Sequence, residues 1–327
     1  METAESLECL EDGFVYHFNA MHSPCEVRIE TDDAWLAEQA GRVVEIEAQR
    51  IERTYSRYRD DSVIGCINGA AGKPVRVDRE TCALLDFADR AWRLSGGRFD
   101  ITSGVLRRVW RFDGSDQVPS RAQIAAVRPL IGWGKVRWQD EEITLAEGQE
   151  IDFGGFGKEY AVDCAINALR RQMRAACLVN FGGDLRVTGP RKDGQRWRIG
   201  IEDAIQPGVM AGRLEISDGA LTTSGDARRF LLRDGVRYSH ILDPRTAMPV
   251  RDPPRSVTVA APTCIEAGFC PPWPCFMVAG RKNFLKKKAY VHGAFVNPYL
   301  SDIGRADHIS AFTEPGRSAF RPYDGHS

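Results

Sequence analysis

The run Ile151-Asp-Phe-Gly-Gly-Phe-Gly-Lys-Glu-Tyr-Ala-Val-Asp163 changes local structure twice. Ile151 to Phe153 reads as the end of a strand. Gly154, Gly155 and Gly157 let the backbone turn tightly and approach a ligand closely. From Lys158 on, Ala161, Val162, Ala165, Ile166 and Leu169 recur at helical spacing. A strand feeding a helix through a glycine turn leaves free N–H groups aimed at one point, with Lys158 beside them, which suits an anion. The same geometry also serves as a plain strand-to-helix connection. The spacing is neither a Walker A loop nor the dinucleotide GxGxxG fingerprint.

Outward from this stretch, the N-terminal side is helical. Trp35 to Tyr55 places Leu36, Ala40, Val43, Val44, Ala48 and Ile51 on one helical face, and Glu80 to Ser95 predicts a second amphipathic helix stopped by Gly96-Gly97. Val63 to Asn68 reads as a short helical segment, and Gly13 to Ile29 as strand with a turn near Met21-His-Ser-Pro24. Residues 111 to 135 read as an irregular connection. A hairpin is expected around Gln139-Asp-Glu141. The C-terminal side is a succession of strands from Ala176 to Ala261. The fold class is therefore α+β, helices in the first half and a strand-rich second half.

Composition sets limits. The chain has 327 residues, 43% hydrophobic and 27% charged, enough for a sizeable core. A net charge of −1 gives no global case for nucleic acid, and no apolar run reaches membrane-spanning length. The acidic Met1 to Glu11 lacks the basic and apolar regions of a secretory signal, so a cytoplasmic protein is expected. Nine cysteines without CxxC pairs read as free thiols.

Polar groups gather next to glycines and strand ends. Arg57 and Tyr58 suit a planar, charged ligand, although Tyr58 reads equally as a packing aromatic. Asp100 and Asp243 read as ligand contacts or as caps and Asx turns. His240 reads as a base or as a structural imidazole. Taken in order, Tyr55-Ser-Arg-Tyr-Arg-Asp-Asp-Ser62, Phe99-Asp-Ile-Thr-Ser-Gly104 with Trp110, Asp152-Phe-Gly-Gly-Phe-Gly-Lys158 with Asp163, Asn180-Phe-Gly-Gly-Asp184, Thr223-Ser-Gly-Asp226 and Ser239-His-Ile-Leu-Asp-Pro-Arg-Thr246 resemble the ApbE family of FAD:protein FMN transferases. The resemblance runs from about Phe18 to Phe269.

The resemblance implies an α+β domain over residues 14–269 around a flavin-binding cleft. It implies transfer of FMN from FAD to a Thr or Ser of a partner flavoprotein, with Mg²⁺. It assigns flavin contacts to Met21, Tyr58, Arg98, Phe99, Asp100, Asp152, Lys158 and Ile241, proton removal to His240, and a metal contact to the Gly155 carbonyl. A protein that holds FAD without transferring it, or one that splits FAD into FMN and AMP, would carry the same motifs.

Several positions depart from the family pattern. Arg98 stands where Ala is more usual, Glu159 where Gly is usual, and Ala247 where the DPRTG turn has Gly. Gly268 and Pro272 stand where the pattern has a metal-binding Asp and Thr. Neither offers a side-chain oxygen, so weak Mg²⁺ binding and slow or absent transfer are expected. From Cys270 the composition changes. Cys-Pro-Pro-Trp-Pro-Cys275 cannot form the helix expected there. Back-translated with one added C, it reads Leu-Ser-Thr-Leu-Ala-Met, apolar at helical spacing. Residues 270–327 are thus expected to be an out-of-frame, poorly ordered tail lacking the family's closing helix and strand.

Overall fold

Ser6–Leu10, Gly13–Ala20 and Ser23–Glu30 form an antiparallel meander. Its free edge is filled by Ala176–Phe181, with Cys25 opposite Phe181 and Glu30 opposite Ala176. Asp184–Val187, Ala220–Ser224, Val257–Ala261 and Ala294–Val296 follow in that order to complete an eight-stranded sheet. Neighbours are antiparallel until the last pair, which is parallel. The computed structural model describes residues 5–206, 208–227 and 229–269, together with the backbone of Ala294–Val296 and Ile309–Phe312.

Alternation along the strands sorts side chains to two faces. Val27, Ile29, Val179 and Phe181 meet a layer of helices. Leu178, Leu185, Val187, Leu221 and Ala260 meet Trp197, Leu214 and Ile216 on the opposite face. Those three come from a small sheet of Trp197–Glu202, Met210–Ile216 and Ile309–Phe312.

The helix layer follows from the sequence pattern. Ala34–Tyr55 buries Ala37, Ala40, Val44, Ala48 and Ile51 at spacings of three and four, and Asp33 caps it by accepting from the N–H groups of Trp35 and Leu36. Gly41 lies in mid-helix at some cost in propensity because a Cβ there would sit 2.1 Å from the Tyr16 ring. Gly157–Gln172 buries Ala161, Val162, Ala165, Ile166 and Leu169 and packs against the first helix.

The structure adds to the sequence reading in three places. Ser6–Leu10, outside the expected 14–269 unit, is the edge strand of the main sheet. The stretch read as irregular contains the helix Arg121–Val127, closed at its start by a Ser120–Gln123 capping box. The turn at Ile241 to Thr246 opens into a short pairing of Leu242–Asp243 with Met248–Pro249. There Ala247 takes φ 59, a left-handed conformation that costs about 1 kcal/mol or more. Its methyl is fully buried and its carbonyl accepts from Trp110 Nε1 at 3.0 Å, which holds it in place. The seven cysteines of the described residues are free thiols. Apart from the two strands Ala294–Val296 and Ile309–Phe312, what was expected of residues 270–327, Pro272 included, lies outside the described residues.

Candidate active site

The hairpin turn between Gly13–Ala20 and Ser23–Glu30 holds two residues, Met21 and His22, at φ 53 and 57. A two-residue turn matching strand twist needs positive φ at both positions, normally met by Asn or Gly. Here two bulkier residues bear the strain, and the Met21 N–H is anchored on Glu52 at 3.0 Å. The turn brings His22 against Tyr58, ring centres 5.9 Å apart, and Met21 toward the helix start at Gly157.

Tyr58 is 64% exposed, so it leaves aromatic surface free for a ligand. Arg57 sits over the Tyr58 ring at 5.0 Å, donates to the Tyr58 hydroxyl at 2.9 Å, and pairs with Asp152 at 2.5 Å. Asp152 also accepts from the Gly154 N–H at 2.9 Å, which shapes the glycine turn. Among the described residues no side chain caps the helix Gly157–Gln172, the kind of N-terminus that suits an anion. Lys158 Nζ pairs with Asp184 at 2.7 Å. Burial pulls the Lys158 pKa down, but Asp184 more than offsets this and holds it above its ordinary value. Phe99 packs on Phe156 and Phe269 and lies beside Gly155.

Glu159, next along the helix, is buried at 7% exposure. Burial and then the neighbouring Asp184 push its carboxyl up to about 8, against the pull of Lys158. Asp163, one turn on, accepts from Arg186 at 2.7 Å and from the N–H groups of Cys264 and Ile265 at 2.9 and 3.0 Å. It therefore caps the helix Cys264–Phe269 from another element.

His240 and Ile241 lie in a second group. His240 follows the strand Val236–Ser239 and stands edge-on to Phe112 at 6.3 Å. Its Nδ1 lies 2.9 Å from the Arg229 carbonyl, which can only accept, so Nδ1 carries the proton and Nε2 is left with a lone pair. Burial holds its pKa below the ordinary 6.5. The Ile241 N–H donates to the Ser239 hydroxyl at 3.1 Å. Among the described residues no hydrogen bond or ion pair joins this group to Lys158.

Asp100 takes the cap reading of the two that the sequence leaves open. Its oxygens accept from the Thr102 N–H and hydroxyl and from the Trp133 N–H, at 2.8, 2.5 and 2.9 Å, so it is buried as a cap. Asp243 likewise closes an Asx turn on the Arg245 N–H at 3.0 Å. Arg98 differs: its Nη1 donates to the Ser95 carbonyl, while its buried Nε has no partner among the described residues. A buried guanidinium N–H without an acceptor is a place for a ligand oxygen or ring nitrogen. Two clefts of about 580 and 640 Å³ are lined by neither Tyr58, Lys158 nor His240, although Asp100 lines the second. Asp184, Glu159 and His22 were not given roles from sequence. Asp184 closes the Asn180-Phe-Gly-Gly-Asp184 motif, but its pairing with Lys158 needs the fold.

Residues 21–286 match the model of the ApbE family. The chain belongs to that family. It is 31% identical over 225 residues to the FAD:protein FMN transferase of Vibrio cholerae, covering 67% of each protein. It is 29% identical over 276 residues to one from Klebsiella pneumoniae, covering 79% of this chain and 81% of the relative. The crystal structure of the ApbE protein of Thermotoga maritima superposes with a TM-score of 0.74 at 30% identity, over 84% of this chain and 88% of that one. The α+β ApbE fold expected from the sequence is therefore the fold observed. No helix of the described residues is long and apolar enough to cross a membrane.

Tyr58→Ala is expected to weaken FAD binding several-fold to about tenfold, since a stacked aromatic contributes on the order of 1 kcal/mol beyond area burial. Tyr58→Phe is expected to change it little. Equal affinity in the alanine variant, by fluorescence titration, would place the flavin elsewhere.

Proposed function

We propose that this member of the ApbE family is an FAD:protein FMN transferase whose flavin stacks at Tyr58 and whose pyrophosphate lies at Lys158 and the uncapped start of the helix Gly157–Gln172. The observation that carries the reading is that junction: a partly exposed ammonium beside an uncapped helix N-terminus, one glycine turn from an exposed aromatic face. Arg98 would give its unpartnered Nε–H to the flavin, and Met21, Phe99, Asp152 and Ile241 would wall the cleft. The cytoplasmic setting expected from the sequence goes with this reading.

The acceptor is a flavoprotein presenting a Thr or Ser hydroxyl. That oxygen attacks the phosphorus on the FMN side of FAD. The bond to the AMP oxygen breaks, AMP leaves, and a phosphoester to FMN forms. His240 Nε2 takes the hydroxyl proton. Lys158 offsets charge that grows on the phosphate oxygens. Bound Mg²⁺, with the Gly155 carbonyl among its contacts, would supply further charge neutralisation on the pyrophosphate. The buried Glu159 carboxylate, which accepts from no other described residue, fits a cation nearby.

The test is incubation with FAD, Mg²⁺ and a Thr-bearing acceptor domain. Flavin fluorescence on the denatured acceptor band is the expected result. Free FMN and AMP without labelling would make the protein an FAD pyrophosphatase, and unchanged bound FAD a flavin-binding protein. Lys158→Met, which keeps the stem and removes the charge, is expected to weaken FAD more than riboflavin. Equal weakening of both would make Lys158 structural.

A further inference from the structure

Two departures from the family pattern meet in space. Glu159 stands in the first turn of Gly157–Gln172 where Gly is usual, and Gly268 in Cys264–Phe269 where a metal-binding Asp is usual. A Cβ placed on Gly268 would lie 2.6 Å from both Cγ and Oε1 of Glu159 and 2.9 Å from its Cδ. The Glu159 carboxyl group thus fills the volume that a side chain at 268 would occupy. The space beside Gly268, between two packed helices, is met by the carboxyl group from position 159.

Lys158, the preceding residue, attracts this carboxylate, but its ammonium is already paired with Asp184. Asp184 is paired with Lys158 at 2.7 Å, and Asp163 with Arg186 at 2.7 Å. Glu159 is the third acid of the cluster, more than nine-tenths buried, and accepts a hydrogen bond from no other described residue. Holding an ionised carboxylate in such a place is costly unless a positive charge meets it.

We propose that Glu159 is the side-chain carboxylate ligand of the divalent cation in this chain, in place of the acid absent at Gly268. The proposal rests on the reading that FAD binds with its pyrophosphate at Lys158. Mg²⁺ is commonly held by one or two carboxylates plus substrate phosphates and waters, not by an all-protein cage. That no three or more His, Cys, Asp or Glu side chains of the described residues form a metal cluster is therefore compatible with it. This proposal runs against the expectation of weak Mg²⁺ binding drawn from Gly268 and Pro272.

The test is Mn²⁺ binding to the full chain, read from loss of the free-ion electron paramagnetic resonance signal, with and without FAD and with Mg²⁺ as competitor. Wild type is expected to take up one Mn²⁺ in the presence of FAD and release it to Mg²⁺. Glu159→Gln is expected to weaken Mn²⁺ about tenfold or more, with FAD affinity in EDTA and the melting curve preserved. Glu159→Gly should be as weak as Glu159→Gln, and Glu159→Gly with Gly268→Asp should recover the metal. Wild-type Mn²⁺ affinity in Glu159→Gln, failure of the double variant to recover binding, or no Mn²⁺ site in wild type with FAD bound would each overturn the proposal. A wild type that binds FAD and Mn²⁺ yet labels no acceptor would instead overturn the transferase reading and leave the assignment of Glu159 intact. If FAD does not bind, both fall.

Discussion

Replacing His240 with Ala is expected to lower FMN transfer by about 10²–10⁴-fold, the usual contribution of a positioned general base. FAD affinity should stay close to wild type, because in the proposed mechanism the imidazole acts on the acceptor hydroxyl and not on the flavin. The Arg229 carbonyl fixes the proton on Nδ1 and leaves Nε2 free. Burial keeps the ring neutral by lowering its pKa from 6.5. In the proposed mechanism the neutral imidazole is the active form, so the contribution of His240 to transfer should be flat above pH 6.5 and fall as pH drops through a midpoint below it. In His240→Ala that acidic limb should vanish along with most of the rate. Single-turnover labelling of the acceptor across pH checks both statements. A variant with near-normal rate and an unchanged limb would make His240 a structural imidazole.

Asp163→Ala is expected to destabilise the protein by about 3–5 kcal/mol, the cost of removing one partner from a buried ion pair. Both side chains of the Asp163–Arg186 pair are about nine-tenths buried. Arg186 already has one buried N–H without a partner among the described residues, and the variant would strand the whole guanidinium. The loss would also uncap Cys264–Phe269, whose first N–H groups end on Asp163. Thermal denaturation should register a melting temperature lower by roughly ten degrees. Asp163→Asn, which can still accept from the two N–H groups, should lose less. A shift of a degree or two for Asp163→Ala would mean that Arg186 finds water or another acceptor.

The parts of the fold written in local pattern were legible. The helix Ala34–Tyr55 carries its apolar face at helical spacing over six turns of chain, and tertiary packing reinforces that choice. The helix Arg121–Val127 was not, because it is short and lies between Pro119 and Pro129. Its Ser120–Gln123 capping box was the signal available. The site was legible as motifs but not as geometry. Tyr58, Lys158 and His240 stand out by residue type and neighbours. Asp100 stands out equally, and only its three hydrogen bonds reveal a cap. Glu159 and Gly268 each read as a defect when taken singly. Their contact joins two helices far apart in the chain, and no periodicity reports on a contact of that range.

The pairing of Ser23–Glu30 with Ala176–Phe181 has a consequence for biosynthesis. The first three strands emerge from the ribosome with one sheet edge open, and about 150 further residues must be made before its partner exists. At about 5–20 residues per second that edge waits on the order of ten seconds. During that interval the apolar face of Ala34–Tyr55 also lacks its neighbour Gly157–Gln172. A nascent chain of this protein should therefore be held by chaperones until its midpoint has been translated, and folding should be slow for its length because its decisive contact is so distant.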